Sequence, residues 1–371
     1  MMIESSRESG RQLISGIADY ARHFGPWHFH WETQGLAHVD TLLEETRYDG
    51  VLMRDMAEVQ AFLDVGIPVV AFAYSKRHIV DTCWVKTDDR GVGEVVANHF
   101  LQRGFRHFAF CGYDGLPWAV DRGDSFAAVL GEAGFQVDSF LIPPPVAGEL
   151  DDAAIVRWLA ALPCPAALMA ANDDLGQKIV HLCRESGLRV PDDCAVVGVD
   201  NDPVVCGMSN PPLSSVRLDQ YQSGYGAAAM LDKMMKGKAP ENKIITARAG
   251  ELVVRQSSDL IAVDDAAVAK ALRFIQENAH RPLKVDEVAR ASGLYRRGLE
   301  KRFREHLAHS IQEYCRKARA EHVAKILREC RLSLEEIAAQ CGFSHAPHLT
   351  RFFTSMRGET PSAYRKRVSV P

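Results

Sequence analysis

Residues 332–365 read LSLEEIAAQCGFSHAPHLTRFFTSMRGETPSAYR. Ile337 with Cys341, and Leu349 with Phe353, stand at helical spacing. Gly342 falls between the two pairs, where a tight turn needs a residue free of Cβ strain. The pattern predicts a helix-turn-helix. Residues 285–307, VDEVARASGLYRRGLEKRFREHL, repeat the plan: Val288 and Ala289 on a short helix, a turn at Gly293, then a basic helix with Leu299 and Phe303 inward. Glu287, Ala289, Gly293, Leu299 and Phe303 align with Glu336, Ala338, Gly342, Leu349 and Phe353, the second turn being longer by one residue.

The run IAAQCGFSHAPHLTRFF followed by GETPSAYR resembles the DNA-binding domain of AraC/XylS-type regulators, a likeness that extends over about residues 266–367. Leu349 stands at the family's first Phe, and Thr354 replaces its usual Lys, removing one phosphate contact. The charge distribution agrees. The chain's net charge is −4, but residues 266–371 carry 21 Lys and Arg against 11 Asp and Glu, a net of +10, leaving −14 for the rest. One end is built for a polyanion.

With Leu299 and Phe303 packed inward, Arg296, Arg297, Glu300, Lys301 and Arg304 are left on the outward and flanking faces of the first reading helix. The resemblance puts Arg297, Glu300 and Lys301 near base-reading positions. Arg or Lys pairs with guanine, and Glu accepts from cytosine. Glu300 is equally placed for a salt bridge along its own helix. The second reading helix offers His345, Ala346, Pro347, His348 and Arg351, with Arg351 the strongest contact and the others suited to anchoring and shape. A long helix over roughly 310–329 would set the readers about one DNA turn apart.

The chain has 371 residues, 47% apolar and 25% charged, ordinary for a soluble protein of two or three domains. Its nine cysteines form no CxxC pair and no metal spacing, and neither a signal sequence nor a run of ~20 apolar residues is present. The expected place is the cytoplasm, without membrane contact. His23, His28 and His30 crowd with Trp27 and Trp31, but alternation over 28–31 reads as a half-exposed strand, so no metal is expected. No phosphate loop, nucleophile elbow, HExxH or paired carboxylates appear. The reading is of a protein that is not an enzyme and needs no cofactor.

Before residue 260, short apolar runs (51–53, 69–73, 107–111, 166–170 and 196–199) alternate with helical stripes. The stripes are Leu13, Ile17, Tyr20 and Phe24; Val92, Val96 and Phe100; Phe126 and Leu130; Ile179 and Cys183. Such alternation predicts parallel sheets covered by helices. The segments DDRGVGEVVANHFLQRGFRHFAFCG (88–112), AALMAANDDLGQKIVHLCRESGLRVPDDCAVVGVDNDPVV (166–205), NPPLSSVRLD (210–219) and GELVVRQSS (250–258) are similar to the sugar-binding domain of LacI/GalR regulators. That resemblance implies a type I periplasmic-binding-protein-like α/β domain of two lobes over 1–258. The lobes are placed at about 1–111 plus 208–236, and 112–207 plus 237–258. A linker at 259–265 then leads to an all-α domain, 266–371, with two helix-turn-helix motifs. Met1–Ile3 is all that stands for a first strand, shorter than the usual ~5 residues, so truncation there stays open.

In open parallel sheets, ligands sit beyond the strands' carboxyl ends. The residues there are Arg7, Tyr74, Trp118, Arg122, Asn172, Asp173, Asp200 and Asn201, a set suited to a sugar: carboxylates and amides for hydroxyls, aromatic faces for the ring. Asp200 and Arg122 also match the family's ligand-binding acid and arginine. Asn172 and Asp173 could instead cap the following helix. Together the resemblances imply a sugar-responsive regulator, of activating sign. It would bind a double-stranded operator as a homodimer, respond to a pentose such as D-xylose, and have RNA polymerase as a further partner. Residues 256–265 would carry the signal. The alternatives are a ligand-independent regulator, a sugar-binding protein whose C-terminus contacts protein, and a DNA-repair methyl-transfer enzyme, for which no cysteine is suitably placed.

Overall fold

Apolar runs of four to seven residues become strands: β1 (Val51–Arg54), β2 (Val69–Phe72), β3 (Cys83–Thr87), β4 (His107–Tyr113), β5 (Val137–Ile142), β6 (Ala166–Ala170), β7 (Cys194–Asp200), β8 (Ser214–Leu218), β9 (Ile244–Ala247) and β10 (Ala249–Val253). The computed structural model describes residues 1–31, 48–55, 58–75, 82–144, 151–263, 265–307, 310–330 and 332–368. β2 and β6 are buried at every position, as strands covered on both faces must be. The helices between them are α1 (Glu8–Phe24), α2 (Val59–Asp64), α3 (Asp89–Gln102), α4 (Pro117–Glu132), α5 (Asp152–Ala161), α6 (Asp173–Glu185), α7 (Pro203–Met208) and α8 (Gln220–Met235).

Two sheets result. One has the order β1-β2-β3-β9, all parallel; the other runs β10-β8-β7-β6-β4-β5, parallel except for β10. This corrects the expected lobe boundaries. β4 lies between β6 and β5 in the second sheet, β8 pairs with β7 there, and β9 returns to β3 in the first. The first lobe therefore ends at Thr87 and resumes for α8 and β9. Hydrophobic pattern marks a strand but not the partner that completes its ladder, so the crossings could not be read from it. The chain crosses near 88, 219 and 248, and hydrogen bonds tie the crossings together: Asp88 N–H to Ala247 O at 2.9 Å, and Asp219 N–H to Arg248 O at 3.0 Å. Asp88 accepts from Gly91 N and Ala249 N in this hinge.

The short first strand is held. Met2 bridges Met53 in parallel, donating to Leu52 O at 2.8 Å, and Ile3 is buried. His28–Trp31 forms no strand and is exposed. Leu13, Ile17 and Tyr20 face the core as expected, whereas Phe24 is 58% exposed and stacks on Tyr20.

The chain divides into two compact units, Met1–Phe100 with Arg106–Leu260, and Leu101–Phe105 with Ile261–Pro371. Helices of the second unit are α9 (Ala266–Glu277), α10 (Val285–Ser292), α11 (Arg296–His306), α12 (Ile311–Glu329), α13 (Leu334–Gln340), α14 (Ala346–Arg357) and α15 (Pro361–Val368). They build two small cores. Leu272, Val288, Leu299 and Phe303 fill one; Ile337, Leu349, Phe353 and Tyr364 fill the other. The 19-residue α12, about 28 Å long, gives Ile311 and Tyr314 to the first and Val323 and Leu327 to the second. Ser310 with Glu313, and Ser333 with Glu336, form complete capping boxes that fix where α12 and α13 begin. Gly293 (φ 80°) and Gly342 (φ 66°) take the left-handed turn conformation, and a Cβ on Gly342 would come within 2.8 Å of Pro282 Cδ. Among the described residues no helix is long and apolar enough to cross a membrane.

Candidate ligand cleft and nucleic-acid interface

A cavity of 440 Å³ lies beyond the carboxyl ends of the strands of both lobes, within the usual range for small-molecule sites. Six of the eight sequence-predicted residues line it: Arg7, Tyr74, Trp118, Arg122, Asn172 and Asp200. Tyr74 from the first lobe and Trp118 from the second face each other at 6.4 Å between ring centroids. Arg54 lies over Tyr74 at 4.7 Å and Arg122 over Trp118 at 4.8 Å, so each ring carries a guanidinium. The Trp118 Nε1–H is buried with no hydrogen-bond partner among the described residues. A buried donor left open is costly, and an oxygen of a ligand would satisfy it.

Arg122, 3% exposed, is held by Asp89 Oδ1 at 3.0 Å and by Ala171 O at 2.6 Å. Asp200 takes φ 106° at the end of β7, a conformation costing about 1–3 kcal/mol for a residue with a Cβ. Burial pushes its carboxyl up to about 6, with Arg122 opposing the shift. Strain and a desolvated acid at one cleft position are costs that folding alone does not require.

A raised pKa means that the folded state holds the proton more tightly than the unfolded one. This contribution to stability is present at low pH and is lost as pH rises through about 6. Asp200→Asn is thus expected to stabilise the ligand-free protein by roughly 2–3 kcal/mol at pH 7.5, a gain about halved at pH 5. Denaturant titrations at the two pH values check this, and an equal difference at both would remove Asp200 as its source.

Asp173 and Asn201 depart from the expectation. Asp173, 3% exposed, turns into the second lobe, where it accepts from Asp202 N at 2.7 Å and from Ser215 Oγ and Cys206 Sγ. Burial raises its pKa well above the usual range. Asn201 accepts from Arg255 Nη2 at 2.8 Å and belongs to the same internal network. A one-residue step along a turn reverses the side chain's direction, and residue type alone gave no sign of it. Asn172 both lines the cleft and caps α6, its Oδ1 accepting from Leu175 N. Arg7 reaches Asp174 of the opposite lobe at 2.9 Å.

The sequence reading missed Lys86, Asp174, Lys178 and Gln220, which also line the cavity. It also missed Asp55, whose Oδ1 accepts from the N–H groups of Tyr74 and Ser75, both at 2.8 Å, and so sets the Tyr74 loop. Lys86 and Asp55 each end or follow an apolar strand run. The rule that selected Tyr74 could have selected them.

On the helical unit, Arg297, Lys301, Arg304, Pro347, His348 and Arg351 are exposed. Arg297, Arg304 and Arg351 make no ion pair among the described residues; Lys301 approaches Glu305 at 3.8 Å. Arg296 is tied to Glu300 at 2.9 Å, the salt bridge left open for Glu300. Ala346 is a correction: at 7% exposed it packs inward at the first turn of α14 and offers no surface to a partner. His345 caps that helix through Nδ1, which accepts from His348 N at 3.1 Å. Tyr295, before α11, is 92% exposed and was not among the sequence-predicted contacts.

Models of known families match two segments: a periplasmic binding protein-like domain at residues 97–258 and a helix-turn-helix domain at 288–367. The xylose operon regulatory protein of Escherichia coli strain K12 is 27% identical over 98% of this chain and 96% of its own. That of Haemophilus influenzae is 24% identical over 98% and 97%. The solved structure of the xylose-binding transcription activator XylR is 26% identical, with a TM-score of 0.58 over 100% of this chain and 97% of that one. A complex of the regulator CelR with cellobiose, 22% identical with a TM-score of 0.56 over 69% of this chain and 83% of that one, shares the fold. The chain is a XylR-like, DNA-binding transcriptional regulator, in which a periplasmic-binding-protein-like α/β domain precedes an AraC-type helix-turn-helix domain.

Proposed function

We propose that a small sugar binding between the two lobes changes how this regulator engages its operator. The observation that carries the reading is the paired Tyr74 and Trp118 rings with Arg122 and Asp200 beside them in one cavity. Relatives named for the xylose operon match nearly the whole chain, which makes a pentose the first effector to test. The sugar shifts the equilibrium only as far as it favours one arrangement of the lobes over another.

The proposed junction at 256–265 is anchored at each end within its own unit. Ser257 and Ser258 are buried, with Ser257 Oγ donating to Val196 O at 2.6 Å, while Asp265 caps α9 and pairs with Arg302 at 2.9 Å. Homodimeric binding in the cytoplasm, activation, and a contact with RNA polymerase belong to this reading as proposals. So does the absence of catalysis.

Footprinting of the purified protein on DNA fragments selected from a genomic pool, with and without each of a panel of sugars, tests the whole. Protection that no sugar alters would leave a ligand-independent regulator. Arg351→Ala is expected to weaken operator binding by about 1–3 kcal/mol, roughly 5- to 150-fold, with effector binding unchanged. An unaltered operator affinity would take Arg351 off the interface.

A further inference from the structure

The first turn of α11 departs from local rules that most of the helical unit keeps. Asp265, Ser310, Ser333 and His345 each cap their helix by accepting a backbone N–H, whereas Tyr295, the N-cap of α11, makes no side-chain cap bond. Ser, Thr, Asn and Asp stabilise that position, and an aromatic ring does not. Lys284, before α10, also makes no cap bond, but a lysine in water is ordinary. The Tyr295 ring stands at 92% exposure, above Met208 at 76%, the next of the large apolar side chains described, and it belongs to neither core of the unit.

Gly298, three residues on, is the second departure. Of the four glycines after residue 266, Gly293, Gly342 and Gly358 take the left-handed conformation that a Cβ would strain, and Gly298 does not. A Cβ built on Gly298 would meet nothing within 4 Å, so neither backbone conformation nor packing requires glycine inside α11. Glycine also gives up the most backbone freedom in a helix. The fold would be served better by a capping residue at 295 and a helix former at 298. Local preferences broken without gain to the fold mark places where a partner is met. Positions 295 and 298 are neighbours at i, i+3, and residues 295–298 are exposed throughout. They are continuous with exposed Arg297 and Lys301, in a unit whose basic charge suits a polyanion.

We infer that Tyr295 sets a base preference in the operator, its ring packing on the C5-methyl group of a thymine while Gly298 lets the duplex come close to α11. In recognition helices the N-terminal residues are the ones that reach base edges. The thymine methyl is the apolar group on those edges, and a ring held in water gains by covering it. The inference rests on the reading of α11 as a DNA-reading helix. It adds a preference that the charged residues of that helix do not supply, since Arg and Lys pair with guanine and Glu with cytosine.

The test is titration of the full chain against the DNA fragment protected in the footprint, and against copies in which each thymine in turn is replaced by deoxyuridine, which lacks only the methyl group. At one position the replacement is expected to weaken wild-type binding by about three- to tenfold and to leave Tyr295→Ser, already weaker by a similar factor, unchanged. Tyr295→Phe should keep the wild-type response, and Gly298→Leu should bind weakly. Hydrogen exchange over α11 should be slower in Tyr295→Ser and in Gly298→Leu, because serine caps and leucine favours the helix. A merely structural role would not give weaker binding with a more stable helix. Full affinity in Tyr295→Ser, or no response to deoxyuridine at any position, would overturn the inference and leave α11 a reader if Arg297→Ala binds weakly. Tyr295→Phe as weak as Tyr295→Ser would move the contact to the hydroxyl and overturn the methyl assignment. Full affinity in Tyr295→Ser, Gly298→Leu and Arg297→Ala alike would overturn both the inference and the reading it rests on.

Discussion

Arg122→Ala is expected to abolish effector binding and to destabilise the α/β unit by about 3–5 kcal/mol, the range for breaking a buried pair by removing one partner. The guanidinium is the hub of the cleft floor. It neutralises Asp89, which is 12% exposed, restrains Asp200 electrostatically, donates to the carbonyl of Ala171 and lies over the Trp118 ring. Its loss leaves two carboxylates in poorly solvated positions and an orphaned carbonyl. Thermal unfolding followed by tryptophan fluorescence would report the change, since Trp118 sits against the removed group. Arg122→Lys should recover some stability but little binding, because an ammonium cannot reach Asp89 and Ala171 in one geometry. Wild-type stability in the alanine variant would show that Arg122 is not the hub.

The second large effect is expected at Arg319, on α12. Its Nε and Nη2 donate to Cys341 O at 3.1 and 2.7 Å, and Nη2 also reaches Gly342 O at 2.9 Å. Its Cζ lies 3.6 Å from the centroid of Phe343 and 5.4 Å from that of Phe352. One side chain thus closes the carboxyl end of α13, where unpaired carbonyls collect negative charge, and fastens the turn leading to α14. Charged hydrogen bonds of about 1.5–3 kcal/mol, with a cation–π contact of roughly 0.5–2 kcal/mol, put Arg319→Ala at several kcal/mol for the second helix-turn-helix. Footprints should retract to the sequence covered by the first motif, whose core does not include Arg319. Full-length protection by the alanine variant would show that α12 and the turn are fixed by other contacts.

Much of this was legible before any coordinates. Helical spacing with Gly293 and Gly342 marked both helix-turn-helix motifs, because a left-handed turn between two amphipathic helices admits few residues. The apolar runs marked strands, and the position after each run led to Tyr74, Trp118, Arg122 and Asp200. All of these are local properties, set within a few residues along the chain. What only the tertiary structure decided was long-range. Sheet membership of β4, β8 and β9 depends on ladder partners up to 160 residues away. Asp173 and Asn201 turned inward to satisfy groups on other strands, and Ala346 closed a core. Sequence spacing determines which way a helix face points; which distant group completes a hydrogen bond or cancels a charge is a property of the packed chain.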